Sequence, residues 1–317
     1  MTSSNEIRSQ MIKAGGHDFE VLMCGDGEKL AMNLHGFPDH AMAWRYQLPF
    51  LARLGYTVWA PNLRGYGRSY RPKGVESYKI DNLLFDISEL IKASGKTPSL
   101  LIGHDWGGSL AWTFAMRKAL PLDHLVIMNC PHPGRISSPF KALIAQPKKF
   151  VHYFFFQIPL LPELSLGRNR AAKIGTMFSD ITTNPANIDS TAINAIRAQA
   201  AEPGALTAMI NWYRAAWRYK PQEWLTRPMI DTPTLMIWGE TGSPLLKKPT
   251  PEDIEGLKRV ARSTREFVSN FTLRFLSEVS HWAPQEAPDS INAIIAAWLK
   301  GAPIPERGPD GRHISID

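Results

Sequence analysis

Six residues, Gly103-His104-Asp105-Trp106-Gly107-Gly108, carry the strongest chemical signal in the chain. The apolar run Pro98-Ser99-Leu100-Leu101-Ile102 leads in, and a helix-favouring run from Ser109 to Met116 leads out. A strand, a tight turn and a helix in that order form a nucleophile elbow, which pushes the apex side chain into the open in front of a helix N-terminus. Gly103 and Gly107 permit the sharp turn because they carry no Cβ. Most elbows carry serine at the apex, which suits attack at a carbonyl. Asp105 stands there instead. A carboxylate suits displacement at an sp³ carbon, giving an alkyl ester that water must then hydrolyse. A glycine-rich turn in which Asp merely caps a helix has the same local pattern, so the elbow draws its weight from the residues around it.

Two further constellations supply that weight. His35-Gly36-Phe37-Pro38 follows the predicted strand Ala31–Leu34. From such a loop the backbone N–H of Phe37, together with that of Trp106, forms an oxyanion hole that would hold the tetrahedral intermediate of the Asp105 ester. Val279-Ser280-His281-Trp282-Ala283-Pro284 follows the last predicted core strand and precedes the final helix. His281 there is the expected general base that activates water. The chain holds nine histidines, and position singles out this one. The order nucleophile first, histidine near the C-terminus, is that of the α/β-hydrolase fold.

The elements that must position these residues follow the same plan. Predicted strands are Ala31–Leu34, Thr57–Ala60, Ser99–Ile102, His124–Asn129, Thr234–Trp238 and Leu273–Leu276. Predicted helices include Ala43–Leu54, Ile80–Ala93, Gly108–Lys118 and Asp289–Leu299. Short β-rich runs alternating with helical patterns read as a mostly parallel sheet covered on both faces. The expected organisation is a core over residues 1–133, a helical cap over 134–223, the rest of the core over 224–300 and a loosely held tail over 301–317. With 317 residues and 44% hydrophobic content, the chain can bury a substantial core.

The net charge of +7 is scattered, and the pairs Lys148-Lys149 and Lys247-Lys248 lack interleaved aromatics, so no nucleic-acid partner is expected. The stretch from Val151 to Leu166 is broken by Pro159 and Pro162, and residues 1–16 hold no continuous apolar segment. No membrane span and no secretory leader are therefore expected, and a cytoplasmic location is. Cys24 and Cys130 read as buried free thiols. No metal-ligand spacing or phosphate-binding glycine loop is present, so no cofactor is expected.

Linked in order, these motifs resemble the soluble epoxide hydrolase family. The match runs through Leu34-His35-Gly36-Phe37-Pro38, Trp44-Arg45-Tyr46-Gln47-Leu48-Pro49, Leu63-Arg64-Gly65-Tyr66-Gly67-Arg68-Ser69 and the elbow. It continues through Asn129-Cys130-Pro131-His132-Pro133, Phe155-Phe156-Gln157-Ile158-Pro159, Asn211-Trp212-Tyr213-Arg214 and Ser280-His281-Trp282, and spans roughly residues 16–300. The resemblance implies a cap carrying two donors, usually tyrosines, that hold the epoxide oxygen. Tyr213 matches the second. The first falls on His152, and a shift of one residue places Tyr153 there instead. The resemblance also implies an acid that orients the histidine, usually three residues past the glycine of Trp238-Gly239. That position is Gly242, and the other customary place is Asn129. Glu240 is the favoured substitute, with Asn129, Glu252 and Asp253 as alternatives. A histidine without a carboxylate partner would slow hydrolysis of the ester more than its formation.

The resemblance thus implies an epoxide hydrolase that converts a small hydrophobic epoxide and water into a vicinal diol through an ester on Asp105. An exposed cap face could pair two copies into a homodimer, though nothing in the chain demands it. Dehalogenation of a haloalkane or haloacid by the same Asp/His chemistry is the alternative. It is disfavoured because Phe37 offers no halide donor and no arginine follows the nucleophile, where Trp106 and Ser109 stand. A catalytically silent binding protein on the same scaffold is the third reading, resting on the missing acid.

Overall fold

Near-continuous apolar runs such as Thr234–Gly239, buried along its whole length, are what strands covered on both faces require. In the structure, a computed structural model describing residues 6–135, 153–183, 188–242 and 248–316, such runs form the middle of a nine-stranded sheet. Its strands are β1 (Arg8–Ala14), β2 (His17–Cys24), β3 (Lys29–Leu34), β4 (Tyr56–Pro61), β5 (Thr97–His104), β6 (His124–Met128), β7 (Thr234–Gly239), β8 (Phe271–Leu276) and β9 (Ile314–Ile316). The spatial order is β1-β2-β4-β3-β5-β6-β7-β8-β9. Strands β4 to β8 and β3 run parallel, while β1, β2 and β9 add antiparallel edges.

The helices among the described residues are α1 (Gln47–Arg53), α2 (Ile80–Ala93), α3 (Trp106–Met116), α4 (Leu161–Ile181), α5 (Ser190–Ala200), α6 (Ala205–Arg218), α7 (Glu223–Thr226), α8 (Pro251–Arg262), α9 (Ala283–Glu286) and α10 (Pro288–Leu299). Leu83 and Ile87 of α2 and Leu110 and Phe114 of α3 bury one face of the sheet. Leu48 and Leu51 of α1 and Ile291, Ile294 and Ile295 of α10 bury the other. No described helix is long and apolar enough to cross a membrane.

Several expected boundaries move for identifiable reasons. The predicted helix Ala43–Leu54 is a 3-10 turn, Ala41–Trp44, followed by α1. Starting at Gln47 places Pro49 in the first turn, where a backbone N–H has no helical partner to lose. The strand predicted to reach Asn129 stops at Met128, because Asn129 adopts φ 45°. Helix α3 starts at Trp106, two residues earlier than expected. The expected loose tail is corrected more fundamentally. Ile314 is buried, β9 pairs antiparallel with β8, and Ser277 N donates to His313 O.

Helices α4 to α7 enter the chain between β6 and β7, and α4 breaks at Arg168–Ala171, where the backbone leaves the helical region. This insertion is tied to the sheet-bearing part through specific bonds. Trp212 Nε1 donates to Arg64 O at 3.1 Å, Arg71 pairs with Glu202 at 2.9 Å, and Arg117 pairs with Glu223 at 2.9 Å. Arg64 is held in turn by a buried two-pronged pair with Asp86, both contacts at 2.6 Å.

Candidate active site

The chain leaves β5 at His104 and enters α3 at Trp106, so Asp105 carries the whole turn, with φ 51° and ψ −120°. That region is costly for a residue with a side chain and persists only where the surroundings enforce it. Gly36 is one of the enforcing neighbours. A Cβ there would lie 2.3 Å from Asp105 Cβ, so only glycine lets the loop after β3 close onto the carboxylate.

Two groups meet Asp105. Phe37 N donates to Oδ1 at 2.8 Å, and His281 Nε2 lies 3.3 Å from Oδ2. Burial pushes the Asp105 carboxyl upward, but the His281 side chain, the nearby His104 and the Phe37 N–H outweigh it and hold the carboxyl below its usual range. Asp105 is therefore ionised at neutral pH. Trp106 opens α3, and its N–H is one of the first in that helix, which have no partner within the helix.

Aromatic rings close over this carboxylate. The Tyr213 ring packs edge-on against Phe37 (5.3 Å between centroids), Trp106 (5.0 Å) and Tyr153 (5.5 Å). Burial and the negative charge of Asp105 raise the Tyr213 phenol well above its ordinary range, and the same two causes raise Tyr153. Both phenols keep their protons and can only gain as donors when charge develops next to them.

His281 is buried, and its backbone is pinned on both sides. Glu286 accepts from Ser280 N at 2.9 Å. His104 Nε2 donates to His281 O at 2.7 Å. Burial holds His104 neutral, with a pKa of about 3, which fits a ring spent on one backbone bond. The same applies to His35, also at about 3. Its Nε2 accepts from Leu63 N at 3.0 Å, which leaves Nδ1–H to donate to Gly36 O at 2.9 Å and fix the loop carrying Phe37.

The structure thus brings Asp105, His281, Phe37, Trp106, Tyr213 and Tyr153 together. His152 lies outside the described residues. Glu240 is a correction: its Oε1 pairs with Lys258 Nζ at 2.6 Å, so it is turned to α8 and not to the histidine. Glu252 and Asp253 belong to the first turn of α8, where Asp253 completes a capping box with Thr250. Among the described residues His281 Nδ1 has no hydrogen-bond partner. Sequence reasoning passed over His104, Glu286 and two members of the Asn-Trp-Tyr-Arg run. Trp212 holds α6 to Arg64, while Arg214 donates to Phe156 O and Ile158 O at 2.9 Å and pairs with Glu163 at 2.7 Å. Alternation of function along that run was the available signal, since one turn of helix presents successive residues in different directions.

Residues 32–269 match the α/β-hydrolase fold family. Epoxide hydrolase 4 of Mus musculus is 36% identical over 295 residues, covering 91% of this chain and 78% of that protein. An AB hydrolase superfamily protein of Bacillus subtilis is 34% identical over 297 residues, covering 93% and 98%. The crystal structure of epoxide hydrolase A from Mycobacterium thermoresistibile superposes with a TM-score of 0.79 at 25% identity, covering 95% of this chain and all of that one.

Proposed function

We propose, from the premise that this chain belongs to the epoxide hydrolase family of the α/β-hydrolase fold, that it adds water to a hydrophobic epoxide through an ester on Asp105. The observation that supports the mechanism is the Asp105 carboxylate 3.3 Å from His281 Nε2, with the Tyr213 ring packed on the flanking Phe37 and Trp106. Asp105 attacks one epoxide carbon, and the C–O bond of the ring breaks. The developing alkoxide takes its proton from Tyr213 or Tyr153, and the donor's hydrogen bond strengthens as the charge forms. In the second half, His281 takes a proton from water as the water oxygen bonds to Asp105 Cγ. The N–H groups of Phe37 and Trp106 receive the oxyanion; as the ester C–O bond breaks, the departing oxygen takes the proton from His281, the second proton of the water returns to the tyrosinate, and the diol leaves.

The insertion carrying Tyr213 and Tyr153 serves as a cap over the elbow. Its aromatic inner face, with Phe156 edge-on to Phe37 at 5.6 Å, favours an aryl or alkyl epoxide over a polar one.

The test is intact mass of the His281→Gln variant after incubation with styrene oxide. The expected result is an adduct equal to the whole epoxide, absent from Asp105→Asn. An alkyl adduct from a short haloalkane alone would replace this reading with dehalogenation. No adduct from either probe, with the native chain inactive on a panel of epoxides, would leave a binding protein.

A further inference from the structure

A base that takes a proton at Nε2 needs an acceptor at Nδ1 to hold the ring in the right tautomer and to stabilise the imidazolium. Among the described residues no carboxylate serves His281 in this way. The acids nearest the site are all engaged elsewhere. Glu240 is on Lys258, Glu286 on Ser280 N and Thr183 N, and Asp39 on His40 N and Gln285 Nε2. Outside the described residues the sequence holds one acidic residue, Asp317.

What stands at the junction instead is Asn129. It follows β6, is buried, and adopts φ 45°, a conformation asparagine tolerates better than most residues. Its Oδ1 accepts from Gly239 N at 3.3 Å. Gly239 in turn packs against the backbone just before His281, where a Cβ would meet Ser280 O at 2.4 Å. Gly242 has given up its side chain to the same amide, since a Cβ on Gly242 would lie 2.0 Å from Asn129 Nδ2. Oδ1 is held toward Gly239, which makes Nδ2, a donor, the free end of the amide, and Nδ2 has no partner among the described residues. Asn129 Nδ2 and His281 Nδ1 are thus two buried nitrogens without a hydrogen-bond partner among the described residues.

We propose that Asn129 is the positioning residue for His281, and that its amide makes hydrolysis of the Asp105 ester the slow half of the cycle. This rests on the epoxide hydrolase reading and specifies its kinetics. An amide donor beside Nδ1 favours the neutral ring with its proton on Nε2, directed at Asp105 Oδ2. That tautomer does not hinder attack on the epoxide by the carboxylate. It does oppose the next step, in which Nε2 must take a proton from water and Nδ1–H must face an acceptor. The proton taken from water leaves with the diol oxygen as the ester C–O bond breaks, so the imidazolium is only transient, and its stability sets the rate.

The experiment follows the ester on the native chain and on Asn129→Asp by quenched intact mass during turnover of styrene oxide. The native chain should stand mostly as ester in the steady state. Asn129→Asp should keep the Gly239 bond, supply the acceptor and speed ester breakdown by about 10-fold or more, a fraction of the ~10⁴ that loss of the orienting acid costs in the Ser-His-Asp template. Ester formation should change less than about 3-fold, a split that a purely structural role for Asn129 would not produce. Should Asn129→Asp fail to fold, Asn129→Gly with added formate carries the same test: formate accelerates breakdown and chloride does not. Diol formation without accumulated ester, or an Asn129→Asp change confined to ester formation, overturns the proposal. Absence of any adduct even in His281→Gln fails the epoxide hydrolase reading itself.

Discussion

At the scale of single residues, the proposed chemistry lies between one carboxylate and the groups that meet it. Loss of one donor to a developing oxyanion costs about 10² to 10³ in rate in other enzymes. Tyr213→Phe and Tyr153→Phe are each expected to slow ester formation by about 10²-fold while leaving ester breakdown nearly unchanged, as measured by single-turnover mass. A His152→Phe variant that slowed formation while Tyr153→Phe did not would assign the first donor to His152. That Asp105, His281 and Tyr213 come together was legible because each sits in a short motif whose place in the chain order is informative. Glu240 misled because nearness along the chain is not reach: the turn after β7 aims its carboxylate at Lys258. His104 was in plain view beside the nucleophile, but its bond spans 177 residues to His281 O, and no local pattern announces a partner that distant.

At the scale of elements, the central strands and α2 were readable because burial on both faces, or a strong amphipathic stripe, writes itself into the order of residue types. The β1–β2 hairpin and β9 were not. Strand β1 is largely exposed, and β9 is three residues long inside a stretch rich in Pro, Gly and charge. Pairing with β8 gives β9 its conformation, and that pairing is tertiary. Deleting residues 308–317 should therefore destabilise the protein. Ile314 loses its burial, worth about 1.5–3 kcal/mol for a side chain of this size. The deletion also leaves β8 as an unpaired parallel edge, open to association with other chains. A lower urea midpoint together with concentration-dependent light scattering is the expected result, and unchanged values for both would mean the tail contributes nothing to the core.

At the scale of the whole molecule, the burial of histidines sets the response to acid. His35 and His104 are held neutral down to about 3, and His40 and His132 down to about 4, in each case mainly because burial disfavours the charged ring. The unfolded chain protonates these rings near 6.5, so below that pH it binds protons the native state refuses. Their stabilising effect is full above pH 6.5 and declines as pH falls toward 4, by about 1.4 kcal/mol per pH unit for each ring. Asp39 runs the other way. Burial raises it to about 7, so the native state keeps a proton that the unfolded state releases above about 4, and its effect weakens as pH rises through that window. Four rings against one carboxyl make the net direction a loss on acidification. The melting temperature should drop steeply between pH 6.5 and 4. Asp39→Asn, which removes the opposing group, should make that drop steeper, and a flat profile over the same range would contradict the buried neutral state of these rings.

The backbone at Asp105 also bears on how long such a site would outlast its use. With φ 51° and ψ −120°, the apex residue sits where glycine is comfortable and a residue with a Cβ is not. The backbone gains nothing from aspartate at that point, whatever its carboxylate gains from the Phe37 N–H. In a lineage that needed only the shape of the scaffold, drift would act on this position early, since glycine relaxes the turn and takes a buried carboxylate out of the core. The elbow is thus a record of use: of all positions in this chain, it is where retirement from chemistry would be written first.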